Sequence, residues 1–484
     1  MTTTNLPNQD AIYSSGTWSP PSSHERLVLT NPANEEVYGS APNGDATDVD
    51  RVVTSARTAF AQSEWSALSP AVRGEYLNRM AESVDRRAEE VGAFVTSENG
   101  TLLSQSVAVN GHVSAMILRY YANLAQSVIV EEDRGSSLVR REPVGVAAMI
   151  IPWNGPQILA VQKLAPAMVM GAAMVIKPAA ETSLDIGFLV QAAEEAGVPE
   201  GIINVVTGDR GTGEALVAHP GIDHVSFTGS VAGGRSVGAV CGQALKSVTL
   251  ELGGKSAAII LDDADVDEFL RQVPAVCLAN SGQGCFLSTR IVVDRSRFRE
   301  VCDGLAETLG SMPVGDPLDP ETVFGPVVNA AQHERVLGYV ESGKAQGARA
   351  ILGGRGRPAH LTRGYFVEPT VFVDVTPDMR IFREEIFGPV LAVVQADGDD
   401  DAVATANDTD YGLGGMVWTT DRDRGNAVAR RIETGTIGIN GYTLDPSAPF
   451  GGVKQSGLGR ELGPEGLEAY FNYKSIYQSG GAFF

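Results

Sequence analysis

The chain is poor in cysteine, histidine and positive charge, and it carries no long apolar run. Four cysteines in 484 residues (Cys241, Cys277, Cys285 and Cys302) are too few for a disulfide framework. None belongs to a CxxC pair and only 6 histidines accompany them, so no metal site is expected. Lys and Arg number 37 against 59 Asp and Glu, a net charge of −22. That deficit of cations disfavours nucleic acid or an anionic membrane as a partner. No uninterrupted apolar stretch approaches the ~20 residues that span a bilayer. The opening Met-Thr-Thr-Thr-Asn-Leu-Pro has neither the charged nor the apolar region of a secretion signal. The expectation is a reduced, cytoplasmic protein.

What is present fits an α/β protein: 43% hydrophobic residues and 55 glycines. A length of 484 residues allows roughly two to four structural units. The first 45 residues are polar and turn-rich and read as short surface strands. Apolar positions then recur at helical spacing over 46–64, 70–97 and 101–127, with Asp45 placed to cap the first helix. From Gly145 the pattern alternates. Apolar runs at 145–151, 173–176, 203–206, 224–227 and 247–252 read as buried strands. Helices near 156–170, 183–196, 211–218 and 231–243 separate them. Such alternation predicts a parallel, doubly wound sheet that binds ligands at the carboxyl ends of its strands. A second α/β unit is expected from runs at 257–261, 291–294, 390–396, 414–419 and 436–440, with helices at 264–280, 296–309, 331–345, 399–407 and 421–433. Residues 128–143 read as a hairpin extension and those after 466 as a tail.

The residues with chemistry lie at strand ends. Glu251-Leu-Gly-Gly-Lys255, followed by Gly282-Gln-Gly-Cys285, supplies a candidate base and a thiol on an open, glycine-flanked turn. A carboxylate there can act on the thiol, or on the water that attacks its acyl product. Pro152-Trp153-Asn154-Gly155-Pro156 closes the first strand of the parallel sheet, where an Asn side chain can face a developing oxyanion or simply cap a helix. Lys177-Pro178 ends the second strand, where a dinucleotide fold places the adenosine ribose. Phe227-Thr228-Gly229-Ser230 ends the fourth, small enough for a phosphate to approach the next helix. Gly208-Asp-Arg-Gly-Thr-Gly213 has glycines at the wrong point for the dinucleotide fingerprint and reads as a turn. Glu384-Glu385-Ile-Phe387-Gly-Pro389 offers a carboxylate for ribose hydroxyls and a ring for a nicotinamide. The loop Pro449-Phe450-Gly-Gly-Val-Lys454-Gln-Ser-Gly457 lacks the order of a triphosphate-binding loop.

In this order the motifs resemble the aldehyde dehydrogenase superfamily, over residues 30–480. The resemblance implies two doubly wound α/β domains plus a small β oligomerisation arm. Residues 1–127 and 144–252 would bind the cofactor, 253–465 would form the catalytic domain, and 128–143 with 466–484 the arm. Cys285 would be the nucleophile, Glu251 the base, and Asn154 with the Cys285 N–H the oxyanion hole. Ile150, Pro152, Trp153, Gly229, Ser230 and Leu252 would border the cofactor. Lys177 and Glu385 would hold its riboses, with Ala180 at the 2′ position, and Phe387 would flank the nicotinamide. The partner would be a small aldehyde, with NAD or NADP as cofactor and a homodimer or homotetramer as the assembly.

Two departures from the family pattern bear on specificity. Many NAD-preferring relatives carry an acidic residue three positions after the Lys-Pro lysine; here Ala180 stands there and the glutamate falls at Glu181. A 2′-phosphate would meet less repulsion, so NAD is the default and NADP is accommodated. Gly155 replaces the aromatic residue that often follows Pro-Trp-Asn, which widens the substrate funnel. The family's architecture would line that funnel with Gly155, Ile158, Leu159, Phe286, Tyr442, Leu444 and Phe450. These suit a hydrophobic or aromatic aldehyde and offer no arginine for a second carboxylate. Two other readings are a coenzyme A-acylating relative and a non-catalytic binding or structural protein on the same scaffold. The retained Glu251 argues against the first, and the complete Asn154, Glu251 and Cys285 set against the second.

Overall fold

Five apolar runs between residues 145 and 252 become five adjacent parallel strands. They lie in the spatial order Ser247–Glu251, His224–Thr228, Val146–Ile150, Ala173–Lys177 and Ile203–Val205. Helices cover both faces, which is why the strands are apolar throughout rather than alternating. The chain builds outward from Val146–Ile150 first to one side and then to the other. The order therefore reverses between that strand and His224–Thr228, and the crevice opens at their carboxyl ends. In this computed structural model residues 10–478 are described; the first nine residues and the end of the expected arm, 479–484, lie outside them.

Antiparallel strands Ile12–Ser14 and Thr17–Ser19 extend one edge of this sheet, and Gly457–Leu458 extends the other, giving eight strands. A second sheet of seven strands runs Arg349–Leu352, Thr370–Val373, Val390–Ala396, Arg290–Asp294, Ala257–Ile260, Gly415–Trp418 and Gly438–Ile439. Only the first pair is antiparallel. The segment 252–256 alone joins the two sheets at this crossing. A third sheet pairs Phe471–Tyr477 with Ser137–Pro143 along seven residues, and the latter with Glu131–Asp133, so the expected hairpin and tail do meet.

Several sequence expectations need correction. The helix expected over 70–97 is two, Pro70–Arg86 and Ala88–Asn99, because Arg87 leaves helical geometry. The helix over 101–127 contains a π-helical stretch, Val107–Val113. Gly92 explains the neighbouring close packing: a Cβ there would lie 2.7 Å from the Val107 backbone. Strands Arg349–Leu352 and Thr370–Val373 were not anticipated, and the run at 436–440 pairs over only two residues. Gly208–Gly213 is not a plain turn: Asp209 caps the helix Arg210–Ala218 by accepting from the Gly211 N–H at 2.7 Å.

Asp45 caps the helix Ala46–Gln62 as the sequence suggests. Its carboxylate accepts from the N–H groups of Thr47 at 2.8 Å and Asp48 at 3.2 Å, and Asp48 returns a bond to the Asp45 N–H. Asp45→Ala should lower stability, because two N–H groups of the helix's first turn lose their acceptor. Chemical denaturation will check this, and an unchanged midpoint would remove the cap from the account.

Candidate active site

The last residues of two neighbouring strands, Thr228 and Glu251, face each other in register. The Gly229 N–H donates to the Glu251 carbonyl at 3.0 Å, fixing the floor of the crevice. Glu251 is 3% exposed. Beyond it the backbone passes between two groups that leave no room for a side chain. A Cβ on Gly253 would lie 2.4 Å from a Glu385 carboxylate oxygen, and one on Gly254 would lie 2.4 Å from the Cys285 carbonyl oxygen. The two glycines of Glu-Leu-Gly-Gly-Lys are therefore what lets Glu251, Cys285 and Glu385 share one cavity. The loop before Gly457 clasps the same crossing. The Leu252 N–H donates to the Ser456 carbonyl at 2.9 Å, and the Ser456 hydroxyl donates to the Gly253 carbonyl at 2.7 Å.

Cys285 sits after a tight turn in which Asn280, Ser281 and Gly282 all have positive φ. Gly282 is obligatory, since a Cβ would lie 2.1 Å from the Gly388 carbonyl oxygen. The turn is stitched to Asn154, whose side-chain amide donates to the Gln283 carbonyl at 3.0 Å, while the Asn280 amide donates to the Asn154 carbonyl at 3.2 Å. One Asn154 N–H is spent in this way, and the second remains for another acceptor. Asn154, Glu251 and Cys285 all line a cavity of about 200 Å³, together with Glu385 and Phe387.

Burial dominates the charges here. The Cys285 thiol is pushed up to about 12, by burial first and then by the Glu385 and Glu251 carboxylates, against the backbone N–H groups of Cys285 and Phe286. Burial, and after it Glu461, also holds Glu251 well above the usual carboxylate range; Lys163 and Arg460 oppose this. Neither Glu251 carboxylate oxygen has a hydrogen-bond partner among the described protein atoms. Behind it the fully buried Lys163 ammonium donates to Thr228 Oγ1 at 2.6 Å and pairs with the Glu461 carboxylate. The resting centre is thus a protonated thiol beside an unusually basic carboxyl group.

A second cavity, of about 370 Å³, adjoins the first and shares Ser230 with it. Ile150, Lys177, Gly213 and Gly233 are among its walls. Ser230 caps the helix Val231–Ala244 by accepting from the Gly233 N–H at 3.1 Å, so a helix N-terminus opens on the crevice. Gly229 and Gly233 leave the Phe227 ring free, since a Cβ on either would lie within 3 Å of it. Lys177 is nearly fully buried; burial brings its amine down to about 8, and it donates to the Pro178 carbonyl at 2.9 Å. The Glu385 carboxyl, raised to about 6 by burial, accepts from the Gly254 N–H at 3.0 Å. Phe387 has positive φ and meets Trp153 edge-on at 5.4 Å. An amine at one end, a glycine-lined helix start in the middle, and a carboxylate with a ring at the other fit an extended dinucleotide.

The structure brings nine expected cofactor residues onto these two cavities: Ile150 and Lys177 on the larger, Ser230 on both, and Pro152, Trp153, Gly229, Leu252, Glu385 and Phe387 beside the catalytic candidates on the smaller. Ala180 is half-buried and lines neither, and Glu181 accepts from the Asn329 amide at 3.0 Å. The funnel candidates also lie outside both cavities. Phe286 and Tyr442 stack at 5.0 Å and 14°, with Leu159 and Leu444 half-buried. Ile158, Phe450 and Gly155 are buried, so part of the expected funnel is core packing. Sequence reasoning passed over Lys163, Glu461, Gln332 and Arg335. A lone lysine inside the apolar helix Pro156–Met170 was a legible signal for the first; nothing local marks the others.

A doubly wound sheet whose switch-point crevice ends on a thiol and a carboxylate defines a dinucleotide-dependent enzyme with a covalent step. The aldehyde dehydrogenase family model matches residues 18–476, and the chain belongs to that family. It is 48% identical to geranial dehydrogenase of Castellaniella defragrans, covering 97% of this chain and 98% of that protein. It superposes with TM-score 0.95 and 40% identity on an aldehyde dehydrogenase of Pseudomonas syringae bound to NAD+ and octanal, covering 97% of each chain. A Mycobacterium tuberculosis aldehyde dehydrogenase bound to NAD+ gives TM-score 0.96 and 42% identity over 99% of each chain.

Gly254→Ala should cut aldehyde oxidation by about 10²-fold, since displacing the Cys285 carbonyl misplaces the thiol. Gly242→Ala, where a Cβ meets nothing within 4 Å, should leave the rate unchanged. Steady-state assays of both variants test this; equal rates would sink the close-packing explanation.

Proposed function

We propose that this chain, an NAD-dependent aldehyde oxidoreductase, converts an apolar aldehyde to its carboxylic acid through a thioester on Cys285. One observation carries the reading: Asn154, Glu251 and Cys285 share a cavity contiguous with a dinucleotide-shaped crevice. In that crevice Lys177 and Glu385 hold the two riboses, Ser230 and the start of its helix face the pyrophosphate, and Phe387 flanks the nicotinamide. Ile150, Pro152, Trp153, Gly229 and Leu252 shape its walls.

Bound NAD supplies a hydride acceptor. The chain's own residues do the rest. Glu251, made basic by its burial and by Glu461, takes the Cys285 proton as sulfur bonds to the aldehyde carbon. The free Asn154 N–H and the Cys285 N–H receive the oxyanion. Loss of hydride leaves the acyl group on sulfur. Glu251 releases that proton to solvent, takes another from the water that attacks the thioester, and returns it to the Cys285 sulfur as the acid departs. The Lys163–Glu461 pair provides the adjacent buried charge that tunes this carboxyl group. A base in this position also argues against transfer of the acyl group to coenzyme A.

The substrate reading rests on the stacked Phe286 and Tyr442 rings beside the thiol and on half-buried Leu159 and Leu444. Such surface rewards apolar burial at about 25 cal/mol per Å². Asp445, exposed and bound to Ser447, disfavours a second carboxylate. Among similar proteins, the geranial dehydrogenase and the structure bound to octanal support an apolar substrate, whereas the betaine aldehyde dehydrogenases, at 36–41% identity, are named for a cationic one. NAD is preferred; Lys177 lines the adenosine end while Ala180 lies outside it, so acceptance of NADP rests on Lys177.

We divide the chain into a cofactor-binding unit (1–127 and 144–252), a catalytic unit (253–465) and an arm (128–143 and 466–484), a reading that the two large sheets and the three-stranded one among the described residues support, although Gly457–Leu458 returns to the first sheet. The exposed Ile129, Tyr473 and Tyr477 on and beside the arm support a homodimer or homotetramer, which light scattering will test. No helix among the described residues is long and apolar enough to cross a membrane, and a cytoplasmic location is the reading we adopt; fractionation will check it.

Glu251→Gln should leave one hydride transfer and block hydrolysis. Rapid mixing should then show a burst of reduced cofactor near one equivalent per site, while normal steady-state turnover would assign the base elsewhere. Wild-type turnover should climb with pH above neutrality, because both Glu251 and Cys285 lose protons only above their ordinary ranges. A flat profile from pH 6 to 9 would contradict that. Across an aldehyde panel, kcat/KM should favour medium-chain, terpenoid or aromatic members over succinic semialdehyde by about tenfold or more; the reverse order would refute the apolar funnel.

A further inference from the structure

Beside the crossing from Glu251 to Ala257 lies a cavity that shares no lining residue with the two of the crevice. Its volume of about 10 Å³ admits one water-sized particle. Lys255, Ser256, Arg290 and Lys454 line it, and Glu433 is the one carboxylate among its walls. Lys255 is 1% exposed and Ser256 4%, and neither the Lys255 amine nor the Ser256 hydroxyl has a hydrogen-bond partner among the described protein atoms. The other cations are engaged. Arg290 donates to the carbonyls of Lys255, Thr405 and Ala406 at 2.8, 3.0 and 2.7 Å, and Lys454 pairs with Glu433 at 2.6 Å.

We propose that this cavity is a binding site for a single small inorganic anion of chloride size, held by the Lys255 ammonium and the Ser256 hydroxyl. Three cations and one carboxylate leave the lining positive, which excludes a cation. The small volume favours a monatomic anion over sulfate or phosphate. A buried ammonium without a counter-ion is unfavourable, and an anion in contact removes that penalty. Burial and the Arg290 charge bring the Lys255 amine down to about 7, while Glu385 and Glu384 act in the opposite direction. A bound anion therefore holds Lys255 in its charged form at neutral pH. The competing occupant is a neutral amine with one water.

Crystals of the holoenzyme prepared without chloride and soaked in sodium bromide decide between them. An anomalous bromine peak within hydrogen-bond distance of Lys255 Nζ and Ser256 Oγ is expected; a lone water at high bromide would overturn the site. In solution, the melting temperature should rise as chloride replaces gluconate at constant ionic strength. Lys255→Met should abolish that dependence, and Ser256→Ala should weaken the apparent chloride affinity by about tenfold. If Lys255→Met does not fold, Ser256→Ala carries the test, and chloride dependence unchanged in it would refute the proposal.

Discussion

Everything at the candidate active site depends on one stretch of backbone that has no room for side chains. Gly253 and Gly254 thread between the Glu385 carboxylate and the Cys285 carbonyl, each close enough that a single Cβ would collide. That passage is also where the chain leaves the first sheet and enters the second, within five residues. Each sheet contributes a piece that is chemically idle alone. Glu251 ends a strand of the first, Cys285 precedes a strand of the second, and Glu385 precedes another. Close approach at the crossing turns three separate features into a single cavity.

The electrostatics follow from the same closeness. Taking a carboxylate, a thiol and a second carboxylate out of water raises all three together, so at neutral pH the thiol keeps its proton while Glu385, at about 6, stays mostly ionised. A thiol near 12 would be inert against an ordinary carboxylate. Against one raised by burial and by Glu461, the mismatch in proton affinity shrinks. Lys163 keeps the arrangement tolerable, since a buried acidic pair without a cation would be far more costly.

Patterns that repeat with secondary-structure period were legible in the sequence. The five parallel strands between 145 and 252, the Asp45 cap, the helix from Pro156 and the second α/β unit all stand where the apolar spacing puts them. Glu251, Cys285 and Asn154 were legible for another reason: each sits in a short motif rich in glycine, proline or tryptophan at a strand end. The strands Arg349–Leu352 and Thr370–Val373 were not, because their pairing depends on residues far away in the chain. The break at Arg87 escaped notice because the apolar spacing runs on through it.

By itself, then, the sequence determined the fold class, the order of the strands along the chain and which residues are the candidate reactive groups. These are local properties, set by the apolar spacing of each segment and by its turn chemistry. Only the tertiary structure decided which groups meet. It placed Lys163 and Glu461, 298 residues apart, behind Glu251. It turned part of the expected funnel into core and brought Lys255 and Ser256 to a small cavity lined by Arg290 and Lys454. Charge and burial at a site are sums over every element that packs there, and no single segment carries them.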